Sequence, residues 1–134
     1  MVLKIRAEQM AVFEKVMRRR FEDRMVAHIA RTFPDRYHEM LDAKGGNAPV
    51  RQFVWDGVKR AGAYGITTEG NVQMFLDLLL GLGADFDARS DTAWTREALD
   101  PPDLTEDEKM GIIRRELDAR SGGRGTPWAQ EGRA

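Results

Sequence analysis

The residues whose chemistry most clearly suggests a function are four arginines near the N-terminus. They are Arg18, Arg19, Arg20 and Arg24. Guanidinium groups bind phosphates, so this cluster could contact nucleic acid. On a helix, however, acidic residues four positions away would neutralise much of it, because side chains at that spacing pair. The predicted pairs are Glu14–Arg18, Arg18–Glu22 and Arg19–Asp23. We therefore predict a solvated, ion-paired helix face, on which Arg20 and Arg24 are the least paired and share one side.

A second candidate is the acidic segment Asp85-Phe86-Asp87. It resembles the start of an EF-hand calcium loop, which also needs a ligand at its fifth position, glycine at its sixth and glutamate at its twelfth. Counted from Asp85, those three positions are Arg89, Ser90 and Arg96. We therefore expect a structural role, in which the aspartates cap turns and Phe86 anchors the loop in the core.

Other catalytic and metal-binding patterns are missing from the sequence. It has no cysteine, and two histidines are too few for a zinc site built from several imidazoles. It has no phosphate-binding glycine loop, dinucleotide fingerprint or nucleophile elbow. We expect no enzymatic activity, no cofactor and no metal. The competing hypothesis is catalysis by a carboxylate pair, or by His38 with Asp42 four residues on.

Charge is distributed unevenly along the chain. Residues 4–36 carry nine Lys and Arg against five Asp and Glu, whereas residues 85–118 carry five against eleven. Two interpretations stay open: the basic front and the acidic back face each other in the fold, or they form a bipolar surface for a partner.

The element carrying the arginines is predicted to be one long helix over residues 6–33, which contain neither glycine nor proline. Apolar residues recur there at steps of four: Phe13, Met17, Phe21, Met25, Ile29 and Phe33. Each step of four advances about 40° round a helix, so the apolar stripe winds by about 200°. Either the two ends of the helix bury different faces against different neighbours, or the helix bends. The methionines, Met10 and Met17 among them, are expected to fill the core.

Further helices are predicted over residues 35–43, 49–61, 68–82 and 105–120. Asn47, Thr67 or Thr68, and Thr105 are the expected caps, the last in a capping box with Glu108. A short helical turn is expected around Trp94. The helix over 68–82 is the most apolar and is predicted to be central. The fold class is thus all-α, a compact bundle of about five helices, with one domain over residues 1–120 and a flexible tail over 121–134. The sequence contains neither a transmembrane run nor an N-terminal apolar leader, so we expect a cytoplasmic protein.

The three tryptophans are the candidate contacts for a protein partner. Trp55 lies about 125° round its helix from the centre of the apolar face, and Trp128 lies in the predicted tail. Aromatic residues displaced from a core face commonly anchor protein–protein contacts. The alternative for Trp55 is a second packing contact within the domain. The candidate partner-binding residues are Arg20, Arg24, Trp55, Tyr64, Asp85, Asp87, Trp94 and Trp128.

Two stretches of the chain carry a family resemblance. The first is Ile5-Arg6-Ala7-Glu8-Gln9-Met10 leading to Arg20-Phe21-Glu22-Asp23-Arg24-Met25-Val26-Ala27-His28. The second is Gly57-Val58-Lys59-Arg60-Ala61 with Tyr64-Gly65-Ile66-Thr67-Thr68-Glu69, continuing to Asp85-Phe86-Asp87 and Trp94. Over residues 5–100 the chain resembles small uncharacterised proteins encoded beside type VI secretion components, near spike-tip and effector genes. The resemblance implies an accessory protein that helps load, hold or neutralise an effector.

We therefore predict a non-enzymatic adaptor or chaperone-like protein whose partner is a protein, with a secreted effector and a spike component as the candidates. The alternative is a small nucleic-acid-binding regulator that uses the basic first helix. The acidic back and the near-zero net charge of −1 weigh against that alternative.

Overall fold

The computed structural model describes residues 7–122, and within them the chain forms six α-helices and no strand. The helices are α1 (Ala7–Thr32), α2 (Pro34–Met40), α3 (Ala48–Ala63), α4 (Glu69–Gly81), α5 (Trp94–Leu99) and α6 (Glu106–Arg120), with a 3₁₀ turn at Ser90–Thr92 between α4 and α5. The predicted all-α bundle is confirmed. The expected short turn around Trp94 is a helix of its own, which brings the number of α-helices in residues 7–122 to six. No described helix combines the length and the apolar character needed to cross a membrane.

The helix boundaries follow from local chemistry. Pro34 occupies the first turn of α2, where its missing N–H costs no hydrogen bond, and so α1 stops at Thr32. Thr105 accepts a hydrogen bond from the Glu108 N–H at 3.1 Å, and the Glu108 carboxylate accepts one from the Thr105 N–H at 3.0 Å, so the predicted capping box is confirmed. α4 ends before Gly83, whose φ of 114° suits glycine.

The other two expected caps are wrong in their chemistry although right in position. Asn47 and Thr68 both occupy N-cap positions, but neither side chain accepts a hydrogen bond from a backbone N–H of its own helix. The Asn47 side-chain oxygen accepts from Arg51 Nε at 3.1 Å instead. The Thr68 hydroxyl donates to Glu106 of α6 at 2.6 Å. A side-chain contact within α3 has thus replaced backbone capping by Asn47, and a tertiary contact with α6 has replaced it at Thr68.

The core is built round α4, as predicted. Seven of its side chains are buried: Val72, Met74, Phe75, Leu76, Leu78, Leu79 and Leu80. Helices α1, α3 and α6 all contact α4, and the α3–α4 contact is the most extensive in the fold. Phe86, in the loop after α4, is fully buried and packs on Phe75 with ring centroids 5.5 Å apart, so its predicted role as a loop anchor is confirmed.

Helix α1 is divided into a buried half and an exposed half. Met25, Val26 and Ile29 belong to the core, whereas every residue from 9 to 20 is exposed. The expectation that each end of this helix buries its own face is therefore wrong for the N-terminal end. Among the described residues, no neighbour covers Phe13, and Met10 and Met17 do not fill the core.

Gly57 allows the close approach of α3 to α4, and this gives a test of the core. A Cβ at Gly57 would overlap the Leu76 side chain and lie 3.3 Å from Leu79 Cδ1, whereas a Cβ at Gly62 would meet nothing within 4 Å. Gly62→Ala should stabilise the protein by about 0.5–1 kcal/mol, because alanine favours a helix over glycine. Gly57→Ala has the same helix-propensity stabilisation, but it overpacks the core, which costs about 1–3 kcal/mol.

We expect urea unfolding to rank the two variants about 1–3 kcal/mol apart, with Gly62→Ala the more stable. Equal stability of the two variants would contradict the close α3–α4 packing.

Candidate protein-binding surface

The exposed half of α1 presents a continuous row of apolar side chains, here called the α1 stripe. Its members are Met10 (41% exposed), Val12 (63%), Phe13 (56%), Val16 (44%) and Met17 (42%). At 100° per residue, the stripe is centred about 150° round the helix from the midpoint of the buried Met25 and Ile29. Most of the stripe therefore points away from the bundle, and Met17 lies at its edge nearest α3 and α4.

The stripe adjoins a groove between α1, α3 and α4, here called the Trp55 groove. Its volume is about 290 Å³. Its apolar lining is Met17, Phe21, Trp55, Val58 and Val72, and Arg18, Thr67 and Glu69 complete it. Met17 belongs to both features, so the stripe and the groove form one surface that continues from the projecting helix onto the bundle.

Trp55 is held in place by three side chains of α1. Its ring packs on Phe21 with centroids 5.6 Å apart, and its indole N–H donates to Glu22 Oε2 at 3.0 Å. The Arg18 guanidinium lies 4.9 Å above the ring centroid, within the range of a cation–π contact. Trp55 is thus only partly exposed and is fixed in orientation, as a residue that receives a partner should be.

Glu22 is the carboxylate that ties α1 to α3 beneath this surface. It accepts hydrogen bonds from Arg51 at 2.6 Å and from Trp55, and Arg51 also donates to Asp23 at 2.9 Å. Burial raises the pKa of Glu22, but the hydrogen bonds from Arg51 and Trp55 outweigh it and leave that pKa below the ordinary value. Glu22 therefore stays ionised and keeps α1 and α3 joined at neutral pH.

The arginine cluster is arranged differently from the prediction. Arg19 pairs with Asp23 at 3.6 Å, as expected. The predicted Glu14–Arg18 and Arg18–Glu22 pairs are wrong for the described structure, because Arg18 stacks on Trp55 and Glu22 is bound by Arg51 and Trp55. These tertiary contacts override the four-residue spacing, and the cluster keeps more unpaired positive charge than the sequence indicated.

The two arginines singled out from the sequence have different surroundings. Arg24 donates two hydrogen bonds to Glu69 of α4, at 2.9 and 2.5 Å, so it fastens α1 to the wall of the groove. Arg20 is exposed and forms no ion pair within residues 7–122. Of the two, only Arg20 offers a guanidinium that a partner can bind without breaking an internal ion pair.

Two of the other predicted site residues, Tyr64 and Asp87, are bonded to each other at the C-terminal end of α3. The Tyr64 hydroxyl donates to Asp87 at 2.7 Å, and Arg60 donates to the same carboxylate at 2.8 Å. Burial and the adjacent Asp87 carboxylate raise the pKa of Tyr64 to about 12. These bonds fasten the loop after α4 to α3, which leaves Tyr64 and Asp87 with structural contacts of their own.

Asp85 and Trp94 are likewise engaged within the domain. Asp85 pairs with Arg89 at 2.7 Å, and Arg89 also binds Asp91 at 3.0 Å. The Trp94 ring lies 4.7 Å from the Arg120 guanidinium of α6. Trp128 lies outside the described residues. Of the seven predicted residues that the structure describes, Trp55 alone lies in the surface formed by the stripe and the groove, with Arg20 and Arg24 next to it on α1.

Two interhelical contacts that support this surface were missed from the sequence. A hydrogen bond of 2.7 Å joins Nε2 of His28 in α1 to Oδ1 of Asp77 in α4, and both side chains are mostly buried. Glu106 of α6 accepts hydrogen bonds from the Thr68 N–H at 3.0 Å and from the Asn71 amide at 3.0 Å. His28 and Asp77 are 49 residues apart in the sequence, and Glu106 is 38 residues from Thr68. Local sequence patterns do not predict pairs at such separations.

Within residues 7–122, no ion pair joins the basic front of the chain to its acidic back. Within the described residues, the ion pairs of α1 to other helices run to α3 and α4, through Arg51, Glu69 and Asp77. The interpretation in which the two charged regions face each other is therefore not supported, and the positive charge of α1 remains available. Across residues 7–122, no group of three or more His, Asp or Glu side chains is placed to hold a metal ion.

Comparisons with known proteins add no family. No family model, no curated protein and no solved structure matches this chain.

Glu106 gives a pH-dependent test of the base of the groove. Hydrogen bonds from the Thr68 hydroxyl and the Asn71 amide lower the pKa of Glu106 from 4.5 to about 2. Because this pKa is depressed in the folded protein, the stabilisation is present above pH 4.5 and is lost as the pH falls toward 2. Glu106→Gln should lower the melting temperature at pH 7 and should show a smaller further loss between pH 4.5 and 2.5 than the unaltered protein.

The matched control is Glu97→Gln, an exposed carboxylate that accepts none of the side-chain hydrogen bonds found in residues 7–122. It should follow the acid profile of the unaltered protein. If Glu106→Gln also follows that profile, the hydrogen bonds to Thr68 and Asn71 do not stabilise the fold.

Proposed function

We propose that this protein is a non-enzymatic adaptor or chaperone-like protein, and that its protein partner binds on the α1 stripe and the Trp55 groove. The observation that supports this proposal most directly is the row of five apolar side chains on α1, each 41–63% exposed. Soluble proteins rarely leave a contiguous apolar surface uncovered unless it serves an interaction.

The energetics of the exposed half of α1 support the same proposal. Residues 9–20 form about three helical turns in which every residue is exposed, and isolated helices shorter than about 12–15 residues are marginally stable in water. A partner that covers the stripe would bury apolar area and stabilise the helix at the same time. The proposed surface also has the anatomy of a binding site: an aromatic anchor, Trp55, surrounded by apolar and charged side chains.

The absence of recognisable catalytic chemistry in the sequence favours a binding role over an enzymatic one. The resemblance to proteins encoded beside type VI secretion genes suggests the class of partner, a secreted effector or a spike component. For nucleic acid, the second hypothesis, the support is weaker. Arg19 and Arg24 are already bound to Asp23 and Glu69, and the dominant exposed feature of the same helix is apolar rather than basic.

Site-specific photocrosslinking tests this proposal. The photoreactive amino acid p-benzoylphenylalanine would replace Phe13 in the stripe or, as the control, Ala63, which is exposed on α3 away from the stripe. We expect Phe13 to yield a discrete protein adduct in lysate of the source cell and Ala63 to yield none. Competition by an excess of the unaltered protein should remove the adduct.

Three outcomes would contradict the proposed function. These are an absence of adducts at Phe13, the same adducts at both positions, or an adduct at Phe13 that nuclease digestion destroys. The last result would move support to the nucleic-acid hypothesis.

A further inference from the structure

We infer that the occupant of the α1 stripe is an amphipathic α-helix of the partner that carries carboxylates beside its apolar face. The inference rests on the proposed function and adds the chemistry of the partner segment. It follows from the spacing of the stripe, its charge and the shape of the adjoining groove.

The spacing on α1 is that of a helix–helix seam. Met10, Phe13, Met17, Arg20 and Arg24 follow one another at alternating steps of three and four, the pattern with which one helix receives another. The apolar part of this seam spans residues 10–17, about two turns, and the next position is Arg20. A partner helix lying along the seam would therefore meet apolar side chains first and a guanidinium immediately afterwards.

The charge of the exposed half of α1 selects an acidic partner. Residues 9–20 contain four cations, Lys15, Arg18, Arg19 and Arg20, against one carboxylate, Glu14. An open cleft of about 770 Å³ is lined by these same side chains together with Glu22 and Trp55. Arg20 has no carboxylate partner within the described residues, so a covering helix that desolvated it would have to supply one. Carboxylates flanking the apolar face of the partner meet that requirement.

A second copy of this chain meets the requirement poorly. Two α1 stripes packed together would bring two strongly basic segments into one interface, and like charges that are brought close oppose association. A lipid surface also fits less well. The stripe continues through Met17 into a groove between α1, α3 and α4, and a groove receives a rod-shaped helix better than a plane.

The test uses two synthetic helical peptides with the same leucine seam, one flanked by glutamates and the other by lysines. Each would be labelled and titrated with the full-length protein, and binding would be followed by fluorescence anisotropy. We expect the glutamate peptide to bind about tenfold more tightly than the lysine peptide at 50 mM NaCl, and the difference to shrink at 500 mM NaCl because salt screens exposed charges. Phe13→Asp should weaken the binding of both peptides.

Charge reversal then assigns the preference to α1. The double variant Arg19→Glu/Arg20→Glu should prefer the lysine peptide. The matched control is Arg36→Glu/Lys44→Glu, which makes the same change of charge at two exposed positions outside α1. It should keep the preference for glutamate.

Four results would overturn the inference. They are equal binding of the two peptides, a preference for glutamate that survives the α1 charge reversal, dimerisation of the protein through Phe13, and binding of phosphatidylserine vesicles in place of either peptide. If the Phe13 photocrosslink still captures a protein while the peptides show no preference, the proposed function stands and only the acidic helix is wrong.

Discussion

An apolar residue repeated every fourth position cannot stay on one side of an α-helix, and this constraint determines the design of the whole molecule. Four residues turn an α-helix by about 400°, so each repeat lies about 40° further round the helix than the one before it. The repeat runs from Phe13 in α1 to Phe33 just after it, so Phe13, which is exposed, lies about 160° round the helix from Ile29, which is buried. A single bundle can bury only one of these sides.

The buried half of α1 is fixed firmly enough to hold the other half out. Met25 and Ile29 are in the core, and the polar contacts Arg24–Glu69, His28–Asp77 and Glu22–Arg51 join this helix to α3 and α4. Several contacts on two neighbouring helices leave α1 no freedom to rotate its stripe inward without breaking them. Trp55 belongs to this fixed base and at the same time faces the groove, so the partner surface is supported by the core.

Local patterns in the sequence were sufficient to predict most of the fold but not the candidate site. The apolar periodicity of residues 68–82, the Thr105–Glu108 capping box and the break before Pro34 act between near neighbours, and the structure agrees with each. The winding of the four-residue apolar repeat was also visible in the sequence. That no neighbour within residues 7–122 covers its N-terminal end was not visible, because periodicity indicates which residues share a face and not whether anything covers that face. The surroundings of Arg18, Glu22 and Arg24 depend on α3 and α4, and so the four-residue spacing alone predicted wrong partners for two of them.

The central claim is that the apolar face of the N-terminal half of α1 contributes nothing to the bundle itself. Urea unfolding of purified Phe13→Ala and Phe33→Ala measures this directly, since the two phenylalanines belong to one repeat but are 56% and 4% exposed. Phe33→Ala should lower the free energy of unfolding by about 3–5 kcal/mol, the usual cost of truncating a buried phenylalanine. Phe13→Ala should change it by less than about 0.5 kcal/mol, as for other surface positions. A loss of several kcal/mol for Phe13→Ala would place that face in the core and contradict the claim.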